Sequence, residues 1–206
     1  MVITDTVNEQ MYEHILSLIQ ERKILPGEKI NLKQIAEDNN VSAMPVRNAL
    51  QMLSAEGLVE TRQRVGIFVK QYTNQELQQI YELRTVYEVH CLEQFSESIP
   101  EEMVSDLHDQ IEKTDPLDPH MIALDEQLHS MIVEASKNVF LIRQYNTMMN
   151  LFRIYMFRVS NNEMLAKEEH LLILRAIRMR NQAFAMEMLK QHLNRSMGAY
   201  MRGEGL

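Results

Sequence analysis

The sequence predicts a mainly α chain with one small two-stranded β element near its N-terminus. Three observations lead there. Apolar residues recur at helical spacing through most of the 206 residues, as in Val46, Ala49, Leu50 and Leu53. Two short β-prone runs, 58–61 and 67–69, flank Arg62-Gln63-Arg64-Val65-Gly66. Beyond Asn74 only helical periodicity occurs, interrupted by turn signals such as Asp115-Pro116-Leu117-Asp118-Pro119.

The elements follow in order. Residues 7–21 make an amphipathic helix with Met11, Ile15, Leu18 and Ile19 on one face. Leu25-Pro26-Gly27-Glu28 is a turn, and 29–31 reads as a short strand. Residues 32–39 form a short helix with Leu32, Ile35 and Ala36 on one side, and Asn40-Val41-Ser42 breaks it. Ser42 suits the N-cap of the next helix, and Pro45 falls in its first turn, where a missing N–H costs little. Gly57 ends that helix, and the two β runs follow as a wing. Helix, strand, helix, helix and wing make a winged helix-turn-helix domain over residues 1–72. In such a unit the second helix is presented by the first so that it enters the major groove of double-stranded DNA. After a linker at Tyr72-Thr73-Asn74, helices are expected at about 74–98, 100–114, 119–136, 139–159, 162–180 and 182–202. Six helices suffice for an all-α antiparallel bundle over residues 73–206.

Composition narrows the function. Trp is absent and Met is abundant, at 16 residues, so aliphatic and Met side chains fill the interior. The lone Cys91 cannot form an internal disulfide, which fits a reducing, cytoplasmic setting, and its helical neighbours Val86, Val89 and Leu92 suggest a buried, inert thiol. No secretory signal and no membrane-spanning run is expected. Net charge is −8, but the acidity is uneven. Residues 1–72 hold 8 Lys+Arg against 9 Asp+Glu, while residues 73–206 hold 13 against 20. Phosphate contacts need local positive charge, and Arg47, Arg62, Arg64 and Lys70 supply it near the wing. With Val46, Leu50 and Leu53 inward, the reading face of the second helix carries Ser42, Ala43, Met44, Arg47, Asn48 and Gln51. Arginine suits guanine, and Asn or Gln suits adenine. Gly66 in the wing would let backbone approach DNA closely.

Leu25-Pro26-Gly27-Glu28-Lys29-Ile30, Ile35-Ala36-Glu37, Val41 through Leu50, Leu53 through Val59 and Gly66-Ile67-Phe68-Val69 resemble the GntR family of bacterial transcription regulators. Glu82-Leu83-Arg84, Asp125 through His129, Glu169-His170 with Ile173 and Ala176-Ile177, and His192-Leu193 resemble the FCD effector domain of its FadR subfamily. The six-helix count resembles the smaller, VanR-like branch. The resemblance implies a homodimer, a palindromic operator, and DNA binding altered by a small carboxylic acid. Two departures stand out. The family commonly has Arg where this chain has Ala43, and often Arg near Gln51, so the wing arginines have more to supply.

Asp125 and His129 lie one helical turn apart, and His170 and His192 come from two later helices, each on a face shared with apolar residues. All four are expected to point into the bundle core. Three imidazoles and a carboxylate suit a divalent transition metal, zinc foremost, with nickel or manganese as alternatives. Arg84 resembles the family's effector-binding arginine; its other reading is an i, i+4 pair with Glu88. Two further alternatives are a purely structural metal and a di-iron carboxylate enzyme built on Glu126-Gln127-Leu128-His129. That enzyme class needs a second Glu-x-x-His, and Lys167 and Leu189 occupy the positions where it would begin. No nucleophile elbow or phosphate loop occurs, so no enzyme activity is expected.

Overall fold

A computed structural model of the chain describes residues 6–155 and 163–201. The described residues are mainly α-helical with a two-stranded sheet. They fall into two compact units, residues 6–73 with 149–155, and residues 74–148 with 163–201.

In the first unit, α1 (Val7–Gln20) opens with a capping box. The Glu9 amide donates to the Thr6 hydroxyl, 3.3 Å, and the Thr6 amide donates to the Glu9 carboxylate, 2.7 Å. Its inward face is Met11, Ile15, Leu16 and Ile19. Helix α2 (Leu32–Asp38) is capped by the Asn31 side chain, and Asn40, at φ 53°, makes the left-handed turn into α3 (Ala43–Ala55). Ser42 does stand at the N-cap of α3, but its hydroxyl makes no capping bond. Val46, Ala49, Leu50 and Leu53 are buried in one core with α1, as their spacing required. Strands β1 (Val59–Arg62) and β2 (Gly66–Val69) pair antiparallel, with Val59 opposite Val69 and Arg62 opposite Gly66. The strand expected at 29–31 is reduced to a single bridge from Lys29 to Phe68, supported by Ile30 N–H to the Ile67 carbonyl at 2.8 Å. The same unit takes in residues 149–155. Ile154 enters its core, the Asn150 amide donates to the Tyr12 hydroxyl at 3.3 Å, and Tyr12 donates to Glu56 at 2.7 Å.

The second unit is built from α4 (Asn74–Phe95), α5 (Glu101–Lys113), α6 (His120–Glu134), the first part of α7 (Val139–Tyr155), α8 (Glu163–Arg178) and α9 (Gln182–Met201). Helix α4 packs on α6 and α9, α5 packs on α6 and α8, and α8 and α9 lie together. Leu92, Leu107, Ile111, Leu124, Leu128, Ile132, Ile173, Leu174, Leu189 and Leu193 are buried here. Helix α4 ends at Phe95, not Ser98, and a 3-10 turn covers Ser96–Ser98. Pro100 requires an extended residue before it, and Ile99 complies at ψ 122°. The freed carbonyls find donors: Arg180 reaches those of Ser96 and Glu97, and Gln182 that of Glu93. The ends expected at 159, 162 and 202 lie outside the described residues. Cys91 is fully buried, and burial pushes its thiol up to about 11, whereas Val86 faces outward. No described helix is long and apolar enough to cross a membrane.

Candidate functional site

Helix α6 places Asp125 and His129 one turn apart, α8 supplies His170 and α9 supplies His192. One ligand atom from each lies within 4.8 Å of all the others. His170 Nε2 is 3.0 Å from Asp125 Oδ1 and 3.3 Å from His192 Nε2, and His129 Nε2 is 3.7 Å from Asp125 Oδ1. The three rings are buried, while the Asp125 side chain keeps 34 % of its surface open. The four residues singled out in the sequence therefore do converge.

The donor chemistry fits a metal ion. His129 Nε2 is buried without a hydrogen-bond partner, and two imidazole nitrogens, of His170 and His192, face each other at 3.3 Å. A cation between such nitrogens would satisfy both. Burial and the neighbouring His170 push His192 down to about 3, so its ring is neutral at neutral pH. Burial opposes charge on Asp125, but His129 and His170 beside it hold its carboxyl well below the usual range.

Behind the rings stand residues that the sequence reading did not assign to the site. Glu88, fully buried on α4, accepts from His129 Nδ1 at 2.6 Å, from Arg84 Nε at 2.6 Å and from the Tyr145 hydroxyl at 2.8 Å. Burial works against its charge, yet Arg84 and His129 bring its pKa down to about 2. Glu169 on α8 accepts from His192 Nδ1 at 2.8 Å and from Arg195 at 2.7 and 2.6 Å. Arg84 thus lies in a buried ion pair, with 3 % and 0 % of the two side chains exposed. The i, i+4 spacing announced its pairing with Glu88, but nothing in the sequence announced the burial. The link from Glu88 to His129 spans two helices and leaves no local signal.

A second group, His108, Asp109 and Glu112 on α5, lies close together, but Arg175 already donates to His108 Nε2 at 3.1 Å and sits 3.6 Å from Glu112. That cation fills the role a metal would take.

On the first unit, Ser42, Ala43, Met44, Arg47 and Gln51 form an exposed strip along α3, with Met44 63 % exposed. Asn48 differs from expectation: it is half-buried, and its amide donates to Asn8 of α1 at 3.4 Å. In the wing, Arg62 pairs with Glu60 at 2.8 Å and lies over the Phe68 ring at 4.1 Å, while Arg64 takes φ 61° at the tip. Gly66 has φ +142°, and a Cβ there would meet Lys29 Cε at 2.6 Å. Its glycine is therefore explained by backbone conformation, not by DNA approach alone; the exposed Lys29 chain over it could move aside. Lys29, exposed beside the wing, adds a basic residue that the sequence reading left out; strand alternation from buried Ile30 could have found it.

Residues 7–69 match the family model of bacterial regulatory proteins of the gntR family, and residues 79–195 match that of the FCD domain. The chain is 26 % identical over 194 residues to the uncharacterized HTH-type transcriptional regulator YdhC of Bacillus subtilis, covering 90 % of this chain and 87 % of that one. Escherichia coli McbR/YncC shares the fold at a TM-score of 0.77 and 16 % identity, covering 97 % and 99 % of the two chains. The Zn2+-bound FCD domain of TM0439, a putative transcriptional regulator, aligns at a TM-score of 0.56 and 23 % identity over 62 % of this chain and 93 % of that one. These domains and relatives are those of regulators, which sets aside the di-iron enzyme. The chain therefore belongs to the GntR family, in the group whose second part is an FCD domain, and is a DNA-binding transcriptional regulator and not an enzyme.

Proposed function

We infer that this regulator is a homodimeric repressor, with a DNA-binding domain over 1–72 and an FCD effector and dimerisation domain over 73–206. Its hold on a palindromic operator is set by a divalent transition metal and a small carboxylic acid in the FCD domain. The observation that carries this reading is the convergence of Asp125, His129, His170 and His192 within 4.8 Å, with His129 Nε2 buried and unpartnered. Those four side chains would hold the metal, with zinc the first choice and nickel or manganese the alternatives. The ion would supply a Lewis-acid anchor for an effector carboxylate. Arg84, one helix away, is the candidate for that carboxylate's charge partner, and to meet it the acid must compete with Glu88. On the DNA side, Arg47 and Gln51 would read bases, with Ser42, Ala43 and Met44 against the groove. Asn48, Arg62, Arg64 and Gly66 complete the interface, and Lys29 reinforces the wing's positive charge. The localisation that follows is cytoplasmic, with the DNA.

Gel shifts with a palindromic fragment from near its own gene test the first part. Specific binding should exceed binding to unrelated DNA by about a thousandfold or more at physiological salt. Equal binding to both would refute specific regulation. Elemental analysis after mild purification tests the second part. Absence of metal, together with a His170→Ala variant whose stability in added Zn²⁺ matches wild type, would refute the site.

A second reading has a metal that only locks the bundle, and the site's three-helix span supports it. Chelation would then lower the melting temperature and leave operator affinity unchanged.

A further inference from the structure

We propose that Glu88 and Glu169 are the positioning residues of this centre, each acting through a His–carboxylate–Arg relay that leaves a histidine Nε2 directed at the metal. The proposal rests on the metal reading above and adds to it which residues prepare the ligands.

The two relays have the same order of partners, with Arg84 bound through one bond and Arg195 through two. His129 Nδ1 meets Glu88 at 2.6 Å, and Arg84 Nε meets the other oxygen of that carboxylate at 2.6 Å. His192 Nδ1 meets Glu169 at 2.8 Å, and Arg195 holds Glu169 by two bonds of 2.7 and 2.6 Å. A carboxylate oxygen only accepts, so the ring nitrogen facing it must carry the proton. Nδ1 is thereby fixed as the donor in both rings. In the opposite tautomer an Nδ1 lone pair would face a carboxylate oxygen at under 3 Å, a repulsive arrangement. Metal binding requires each ring to be neutral; its lone pair is then on Nε2, and those are the atoms that converge with His170 and Asp125.

The arginines complete the device. A carboxylate buried as deeply as Glu88 is costly unless its acceptor sites are filled. Arg84, His129 and the Tyr145 hydroxyl fill them, which locks the carboxylate, and through it the ring plane. Nothing in DNA reading requires these groups: they lie in the helical unit and point at the histidines. The relays differ in access. Arg84 and Glu88 are enclosed, whereas Arg195 and Glu169 keep 24 % and 15 % of their side chains open. The third ring, His170, is bonded directly to Asp125, and its Nδ1 is buried without a partner. Two of the three imidazoles are therefore oriented from outside the ligand set.

The test uses the full-length protein and metal alone. Co²⁺ binding is followed by its visible absorption and converted to affinity by chelator competition. Glu169→Gln probes the open relay. For the enclosed one, Glu88→Gln is combined with Arg84→Met so that no buried charge is left alone. Each should bind Co²⁺ about tenfold or more weakly than wild type, with a changed absorption band. Glu134→Gln, exposed at the end of α6, should match wild type. In Zn²⁺-loaded wild-type protein, nitrogen-15 spectra should show slowly exchanging Nδ1 protons on His129 and His192, a readout independent of whether the variants fold. Wild-type Co²⁺ binding with both Glu variants within twofold of it would overturn the relays and leave the metal centre standing. Metal on Nδ1 of either ring would do the same. Failure of the wild-type protein to bind Co²⁺ would overturn the centre and the relays together.

Discussion

Replacing Arg84 by Met removes a charge while keeping most of the apolar stem. If Arg84 and Glu88 were an exposed i, i+4 pair, the cost would be about 0.3–0.5 kcal/mol. The structure places the pair at 2.6 Å with almost no exposed surface. Removing one partner then strands a buried carboxylate, a loss of about 3–5 kcal/mol. Glu88 retains His129 Nδ1 at 2.6 Å and the Tyr145 hydroxyl at 2.8 Å, which favours the lower end of that range. For a chain of this size the melting temperature should fall by roughly 6–20 °C. Urea denaturation followed by far-ultraviolet circular dichroism measures the loss directly, provided the denaturant slope is unchanged. The double variant Arg84→Met, Glu88→Gln should recover at least about 1 kcal/mol, because the stranded charge is gone. A loss below about 1 kcal/mol for Arg84→Met, at constant slope, would mean that water reaches the pair, and the buried-network reasoning would fail.

Arg47→Ala should weaken operator binding by about 1–3 kcal/mol and relax base preference at one position, whereas a uniform loss on all sequences would make Arg47 a phosphate contact. Competition gel shifts with single-base operator variants distinguish these. Gly66→Ala should destabilise the wing by about 1 kcal/mol or more, since φ +142° opposes a Cβ while the exposed Lys29 chain over it can swing aside; an unchanged melting curve would contradict this. Glu9 should titrate below an ordinary glutamate because the Thr6 amide and hydroxyl donate to it. With the folded pKa depressed, its contribution is present above about pH 4.5 and is lost as pH falls through the folded value. Nuclear magnetic resonance titration of Glu9 checks this, and a pKa at or above the usual value would refute the capping box.

Helix α3 was legible because Val46, Ala49, Leu50 and Leu53 repeat at 3.6-residue spacing and Gly57 stops it. The wing was legible because its strands are local and separated by a turn-forming stretch. The same local logic misjudged Ser42, whose type suits a cap that its hydroxyl does not form, and Asn48, which turns towards α1 because Asn8 stands there. Four metal-ligand candidates were visible as types on apolar helix faces, and packing brings them together. Glu88, Tyr145 and Arg195 were not assigned, because their meaning lies in which ring or carboxylate they face, and that is decided by the packing of α4, α7, α8 and α9. The early end of α4 was also a tertiary matter, since Gln182 takes its Glu93 carbonyl and Arg180 takes that of Glu97 in the turn that follows.

The four candidate ligands come from α6, α8 and α9, so in an unfolded chain only Asp125 and His129 remain neighbours and the full set is scattered. An ion bound by them would favour only the folded bundle, by mass action: about 2.7 kcal/mol when free metal is a hundred times its dissociation constant, and about 4.1 kcal/mol at a thousand times. The protein has one cysteine and no internal disulfide to brace it. How long such a regulator survives, and not only what it binds, would then track the supply of metal around it. Starvation for the ion would thin the population of folded copies even where the DNA-reading helix is untouched.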